Sequence, residues 1–144
     1  MGLLSQILQT RSRVLYVQGP HQTVDTVIRL MAEQQIGAVP ICENGQLIGI
    51  FSERDFLRRV AAKGLDPART ELRAVMTPHP ITAAPDEDRL VAISKMQAIG
   101  CRHLPILANG TVIDMLSMRD LLFVEIAARE QEVAELRQYI SGTY

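Results

Sequence analysis

The chain has 144 residues, 47% of them apolar, and sets 15 Lys and Arg against 16 Asp and Glu for a net charge of −1. That length suits one compact unit or two small intertwined ones, and the near-neutral charge excludes a general polyanion binder, so nucleic acid is not an expected partner. No apolar run approaches the roughly 20 residues that span a bilayer, and no secretory signal is legible, so the expected setting is cytoplasmic and off the membrane.

Leu3, Leu4, Ile7 and Leu8 fall at helical spacing and predict a short amphipathic helix from Gly2 to Thr10 that must dock on something. Arg13 to Val17 reads as a short apolar strand ended by Gly19-Pro20. Thr23 is a plausible N-cap for a helix to about Gln35, with Val24, Val27, Ile28 and Met31 on its core face. Two apolar runs follow, joined by Asn44-Gly45. That dipeptide predicts a two-residue hairpin, because both central residues must tolerate positive φ. The second run, Leu47 to Phe51, leads into Ser52-Glu53-Arg54-Asp55, spaced for a capped helix to about Lys63 with Gly64 as its stop. A polar connection then runs to Arg73.

The pattern starts again with Val75-Met76-Thr77-Pro78. Pro80 to Ala83 reads as its first strand, and Asp86-Glu87-Asp88 places negative charge at a helix start, where the macrodipole favours it. Ala92, Ile93 and Met96 line that helix's core face. A hairpin around Asn109-Gly110 follows, then a helix beginning at Ser117. From Pro40 to Asp55 against Pro105 to Asp120, 65 positions on (105 − 40), eight of sixteen residues are identical. The chain is therefore a duplicated β-α-β-β-α unit. Each copy alone would be marginal, which predicts a shared core. The last helix runs past the repeat with Leu122, Ile126, Val133, Leu136 and Ile140 as an apolar seam. Such a tail either meets a partner, a second copy first among candidates, or folds back on its own domain. Cys42 and Cys101 occupy non-equivalent, apolar places and read as packed thiols. His21, His79 and His103 lack ligand spacing for a metal, and no Gly-rich phosphate loop or nucleophile elbow is present, so an enzyme is not expected.

Two β-α-β-β-α units, each with a small-x-hydrophobic-Pro entry, an Asn-Gly turn and a strand ending in Ser-x-Arg-Asp, resemble a tandem pair of cystathionine-β-synthase (CBS) domains, a Bateman module. The likeness runs from about Arg13 to Phe123 and is nearest the small stand-alone CBS-pair proteins of bacteria. It implies an α/β (α+β) fold with a pseudo-twofold axis, divided as 1–12 N-terminal helix, 13–64 first repeat, 65–74 linker, 75–123 second repeat and 124–144 helical tail. It also implies a non-catalytic sensor that holds an adenine nucleotide between the repeats and signals to an unidentified protein partner. AMP is the first candidate, with ADP, ATP, NAD(H) and S-adenosylmethionine beside it. An interaction module with empty clefts is the alternative.

Carried over position by position, the resemblance implies one cleft of Ile50, Ser52, Arg54 and Asp55 with Thr82, Arg102 and His103. A second joins Met115, Ser117, Arg119 and Asp120 to Val17, Gly37 and Ala38. The aspartates would take ribose hydroxyls, since a carboxylate accepts from both hydroxyls of a diol. The serines and arginines would face phosphate. Read without the family, Ser52…Asp55 and Ser117…Asp120 are also plain capping boxes, and Arg102-His103 is an anion contact or a solvated strand end. Counting Arg102 and His103, the first cleft is expected to hold phosphate-bearing ligands more tightly. Asp114 replaces, in the second repeat, the glycine found at Gly49 in the first.

Overall fold

The structure is a computed structural model that describes residues 2–10 and 14–142. Its elements in order are α1 (Leu4–Gln9), α2 (Val24–Gln34), β1 (Ala38–Glu43), β2 (Gln46–Ser52), α3 (Glu53–Asp55, continued by a π-helix Phe56–Ala61), α4 (Leu72–Val75), β3 (Thr77–Pro78), α5 (Arg89–Ile99), β4 (His103–Ala108), β5 (Thr111–Ser117) and α6 (Met118–Ser141).

The two hairpins are copies in detail. β1 pairs antiparallel with β2 and β4 with β5, each with a register shift at the same place, after Ile41 and after Ile106. Asn44 and Gly45 have φ of 53° and 78°, and Asn109 and Gly110 have φ of 52° and 77°. These are the left-handed pairs a tight hairpin turn requires. Each hairpin gains one parallel bridge from the chain that precedes it. Gln18 N–H donates to the Pro40 carbonyl and Cys42 N–H to the Gln18 carbonyl, while Ala83 and Leu107 do the same around Pro105. The first strands expected at Arg13 to Val17 and Pro80 to Ala83 shrink to these bridges at Gln18 and Ala83. Arg13 lies outside the described residues, and residues 14–17 belong to no strand or bridge among the described residues.

The cores do not merge. One cluster packs Val24, Val27, Met31, Val39, Ile41, Phe51 and Val60 of the first repeat with Leu72, Val75 and Met76. The other packs Ala83, Ala92, Ile93, Met96, Leu104, Ile106, Leu116 and Leu121 of the second repeat with Leu4 and Ile7 of α1. The expected shared core is thus replaced by two, each completed by a segment from outside its own hairpin-and-helix unit. α1 crosses to the second repeat, where Leu4 N–H bonds the Glu87 carbonyl and Ser5 N–H the Pro85 carbonyl. The stretch before the second repeat crosses back to the first: β3 pairs with β2 as a third antiparallel strand. This stretch, read from sequence as a polar connection that then enters the second repeat, buries Leu72 completely.

α6 holds 24 residues, about 36 Å at 1.5 Å per residue. Only its first turns are embedded, with Leu121 fully buried. Arg89 of α5 pairs with Glu125 across a nearly solvent-free contact, Nε to Oε2 3.4 Å. Beyond that the helix projects with Val133, Leu136, Tyr139 and Ile140 exposed. The fold-back alternative for the tail is not what the structure adopts.

Candidate functional site

Both strand-to-helix junctions form the capping box their spacing predicts. Ser52 N–H donates to Asp55 Oδ2 at 3.0 Å and Asp55 N–H to Ser52 Oγ at 3.2 Å. Ser117 N–H donates to Asp120 Oδ2 at 2.9 Å and Asp120 N–H to Ser117 Oγ at 3.0 Å. Each box sits beside a cleft between the repeats.

The larger cleft has a volume of about 790 Å³. Met115, Ser117 and Arg119 form one wall, with Gly37 and Ala38 of the first repeat opposite. Its lining also includes Arg102 and His103, Val14 to Tyr16, and Leu122, Phe123 and Ile126 of α6. Arg119 lies over the Phe123 ring, 5.4 Å from its centroid, so one end of the cleft is apolar with a guanidinium held above it. Of the residues expected here, Val17 and Asp120 are not in the lining; the neighbours of Val17, Val14, Leu15 and Tyr16, are. Asp120 is half-buried and accepts from Ser117 N–H in the capping box.

The smaller cleft, about 250 Å³, gathers Ile50, Ser52, Arg54, Asp55, Arg102 and His103 as expected. Thr82 is absent from it; its carbonyl accepts from Lys95 Nζ at 3.1 Å instead. Arg58, Arg59 and Thr77 line it as well, beyond the residues expected. Sequence comparison of the two copies holds the signal that finds the two arginines. Arg58 and Arg59 stand where Phe123 and Val124 stand in the second repeat, so the helix that closes each cleft is cationic in one copy and apolar in the other. Arg102 and His103 line both clefts, so they do not give the smaller cleft the cationic advantage expected of it.

Gly37 marks the junction of the clefts. A Cβ there would lie 3.2 Å from His103 Nε2 and 3.4 Å from Glu53 Oε1, tight enough to push on both. Burial pushes the His103 imidazole below its ordinary pKa. Asp120 pulls it upward, Arg102 and Arg54 push it further down, and Asp55 pulls upward more weakly. At neutral pH His103 is therefore a neutral ring. Arg54 Nη1 reaches the Gly100 carbonyl of the second repeat at 2.7 Å and ties the repeats together on the same side. Cys42 and Cys101 are free, half-buried thiols, both pushed up by burial. Among the described residues no group of three or more His, Cys, Asp or Glu could hold a metal, and no helix is long and apolar enough to cross a membrane.

A duplicated β-α-β-β-α chain with a capped serine-aspartate corner beside each inter-repeat cleft defines a paired-repeat module. The chain matches the CBS domain over residues 19–62 and again over 72–126. It belongs to the CBS-domain family as a tandem pair, and that family is regulatory and non-catalytic. It is 30% identical to a CBS-domain protein from Burkholderia ambifaria, with a TM-score of 0.82 over 87% of this chain and 94% of that one. A CBS domain protein from Pyrobaculum aerophilum, solved in complex with AMP, shares the fold at a TM-score of 0.74 and 24% identity, over 88% of this chain and 98% of that one. Among curated proteins it is 29% identical over 127 residues to the mitochondrial CBS domain-containing protein CBSX3 of Arabidopsis thaliana, covering 85% of this chain. The chain spans less than two thirds of the first curated relatives it matches: 62% of that protein and 20% of a second Arabidopsis CBS-domain protein.

Proposed function

We propose that the chain is a sensor that binds an adenine nucleotide in the larger cleft and signals by changing the angle between its repeats. The observation that carries this is the lining of that cleft. It offers an apolar wall for a base (Tyr16, Met115, Phe123), Ser117 of the capped corner for a sugar, and Arg102 and Arg119 for phosphate; Asp120, outside the lining, is tied to Ser117 by the capping box. Its volume lies within the roughly 300–1,000 Å³ typical of small-molecule sites. AMP is the first candidate, and the AMP held by the Pyrobaculum protein supports that class. ADP, ATP, NAD(H) and S-adenosylmethionine share the adenosine moiety.

The wall residues come from both repeats while the cores are separate. A ligand bridging Gly37-Ala38 and Ser117-Arg119 therefore makes contacts that depend on the angle between repeats, which is the differential affinity a population shift needs. The protein partner that reads the angle is part of this proposal. So is a homodimer through α6, whose exposed seam also favours the second reading, an interaction module that works with its clefts empty.

Titration calorimetry with AMP, alongside melting in ADP, ATP, NADH and S-adenosylmethionine, separates the readings, because a ligand that binds only the folded state raises Tm. Arg119→Ala is expected to weaken AMP by roughly 1.5–3 kcal/mol, the range for hydrogen bonds to charged groups. No shift with any adenosine compound would leave the scaffold reading alone.

A further inference from the structure

In the smaller cleft the carboxylate that a nucleoside needs is already engaged. Asp55 is 7% exposed, and its two oxygens accept three hydrogen bonds and face one guanidinium. Ser52 N–H and Ser52 Oγ both donate to Oδ2 at 3.0 Å. Thr77 Oγ1 donates to Oδ1 at 2.9 Å, and Arg59 Nε stands 3.6 Å from the same oxygen. A carboxylate has about four lone-pair sites, so at most one remains, too few to accept both hydroxyls of a ribose diol. Thr77 is held in place by β3, pairing opposite Ile50 of β2, and Arg59 is anchored by donating to the Met76 carbonyl at 2.6 Å. The position equivalent to Thr77 in the first repeat is Ser12, outside the described residues. What separates the two clefts among the described residues is therefore their volume and the helix that closes each.

What the smaller pocket retains is positive charge. Arg54, Arg58, Arg59 and Arg102 line it against Glu53 and Asp55. Among the described residues, no carboxylate lies within ion-pair distance of Arg58 or Arg102. Arg54 uses one of its five N–H groups on the Gly100 carbonyl, which leaves others for a ligand. The volume of about 250 Å³ is below the range of nucleotide-sized sites, and guanidinium forks match phosphate oxygens.

We infer that the Asp55 cleft is a separate site for a small multivalent oxyanion of the phosphate or pyrophosphate class, with Thr77 standing where a sugar hydroxyl would bind. The larger cleft is then the single nucleoside site of each chain, a point that rests on the function proposed above. The two differ because one closing helix carries Arg58 where the other carries Phe123.

The test is calorimetric titration of the full chain with inorganic pyrophosphate and, separately, with AMP. Pyrophosphate should bind at one equivalent per chain, and Arg58→Ala should weaken it at least tenfold while changing AMP affinity less than twofold. Arg119→Ala should do the reverse, since Arg119 lines the larger cleft and not the smaller. Pyrophosphate binding that Arg58→Ala leaves intact overturns the inference, as does AMP binding at two equivalents per chain. If pyrophosphate binds with the Arg58 dependence and no adenosine compound binds at all, the oxyanion site stands and the nucleotide reading fails.

Discussion

His103 shows how one side chain links two sites. It stands at the start of β4 against Gly37, within electrostatic reach of Asp120, Arg102, Arg54 and Asp55. Its pKa in the folded protein lies below the ordinary 6.5, chiefly through burial. The unfolded chain therefore binds more protons than the folded one between those two values, and stability rises with pH there. The stabilisation is fully present above pH 6.5 and is lost as pH falls through the folded value. Denaturant unfolding at about pH 7.5 and about pH 5.5 is expected to show a larger loss for the wild type than for His103→Asn. Equal losses would mean that the ring is solvated and titrates normally. Glu87 acts in a lower window. Burial pushes its carboxyl up, but the hydrogen bond from Lys95, the Ala84 amide and the Lys95 charge bring it net below its usual value. Its contribution is therefore lost only as pH falls below about the ordinary carboxylate range.

Among the elements, the hairpins and capped corners were legible because their signals are local. Asn-Gly demands its turn wherever it stands, and Ser-x-x-Asp closes its own box. The crossing segments were not legible, because their partners lie in the other repeat. Leu4 and Ile7 predict an amphipathic helix, but nothing in their spacing says that α1 packs on Leu104 and Met96 rather than on Phe51. The same holds for Thr77, whose role depends on β3 lying along β2, and for Arg58, which is visible only when the closing helices are compared beyond the shared motif. The Gly49 and Asp114 difference has the same origin. A Cβ on Gly49 would meet Met76 Sδ at 2.5 Å and the Thr77 carbonyl at 2.9 Å, whereas among the described residues β5 has no third strand beside it. Gly49→Ala is therefore expected to cost about 1–3 kcal/mol by overpacking, and to loosen the Thr77 to Asp55 bond with it. Gln46→Ala, exposed at the start of the same strand, should change stability by less than about 0.5 kcal/mol, as surface substitutions usually do. Comparison of the two Tm values checks the pair, and a stable Gly49→Ala would show that β3 does not lie against β2 in solution.

At the scale of the molecule, the two cores and the projecting helix set what can move and what must be covered. Each core is complete only with a segment from the far side of the chain, so the repeats are cross-strapped: α1 onto the second, α4 and β3 onto the first. Such straps would hold the repeats together through the change of angle proposed above. The far half of α6 takes no part in either core. Val133 is 46% exposed, Leu136 60% and Ile140 81%, on one seam flanked by Glu130, Glu132, Glu135 and Arg137. An apolar seam with charged flanks matches the pattern of helices that pair with a like helix, and pairing two copies would cover it. Light scattering on the full chain is expected to report two protomers. Truncation after Ala128 removes the far half of the seam, Val133, Leu136 and Ile140, but spares Leu121 and the Arg89 to Glu125 contact, so the shortened chain should stay folded. It should scatter as a single protomer and bind AMP with altered apparent affinity only if the dimer constrains the angle between repeats. A truncated chain that still scatters as a dimer would place the principal contact elsewhere, and the α6 seam would then belong to the protein partner instead.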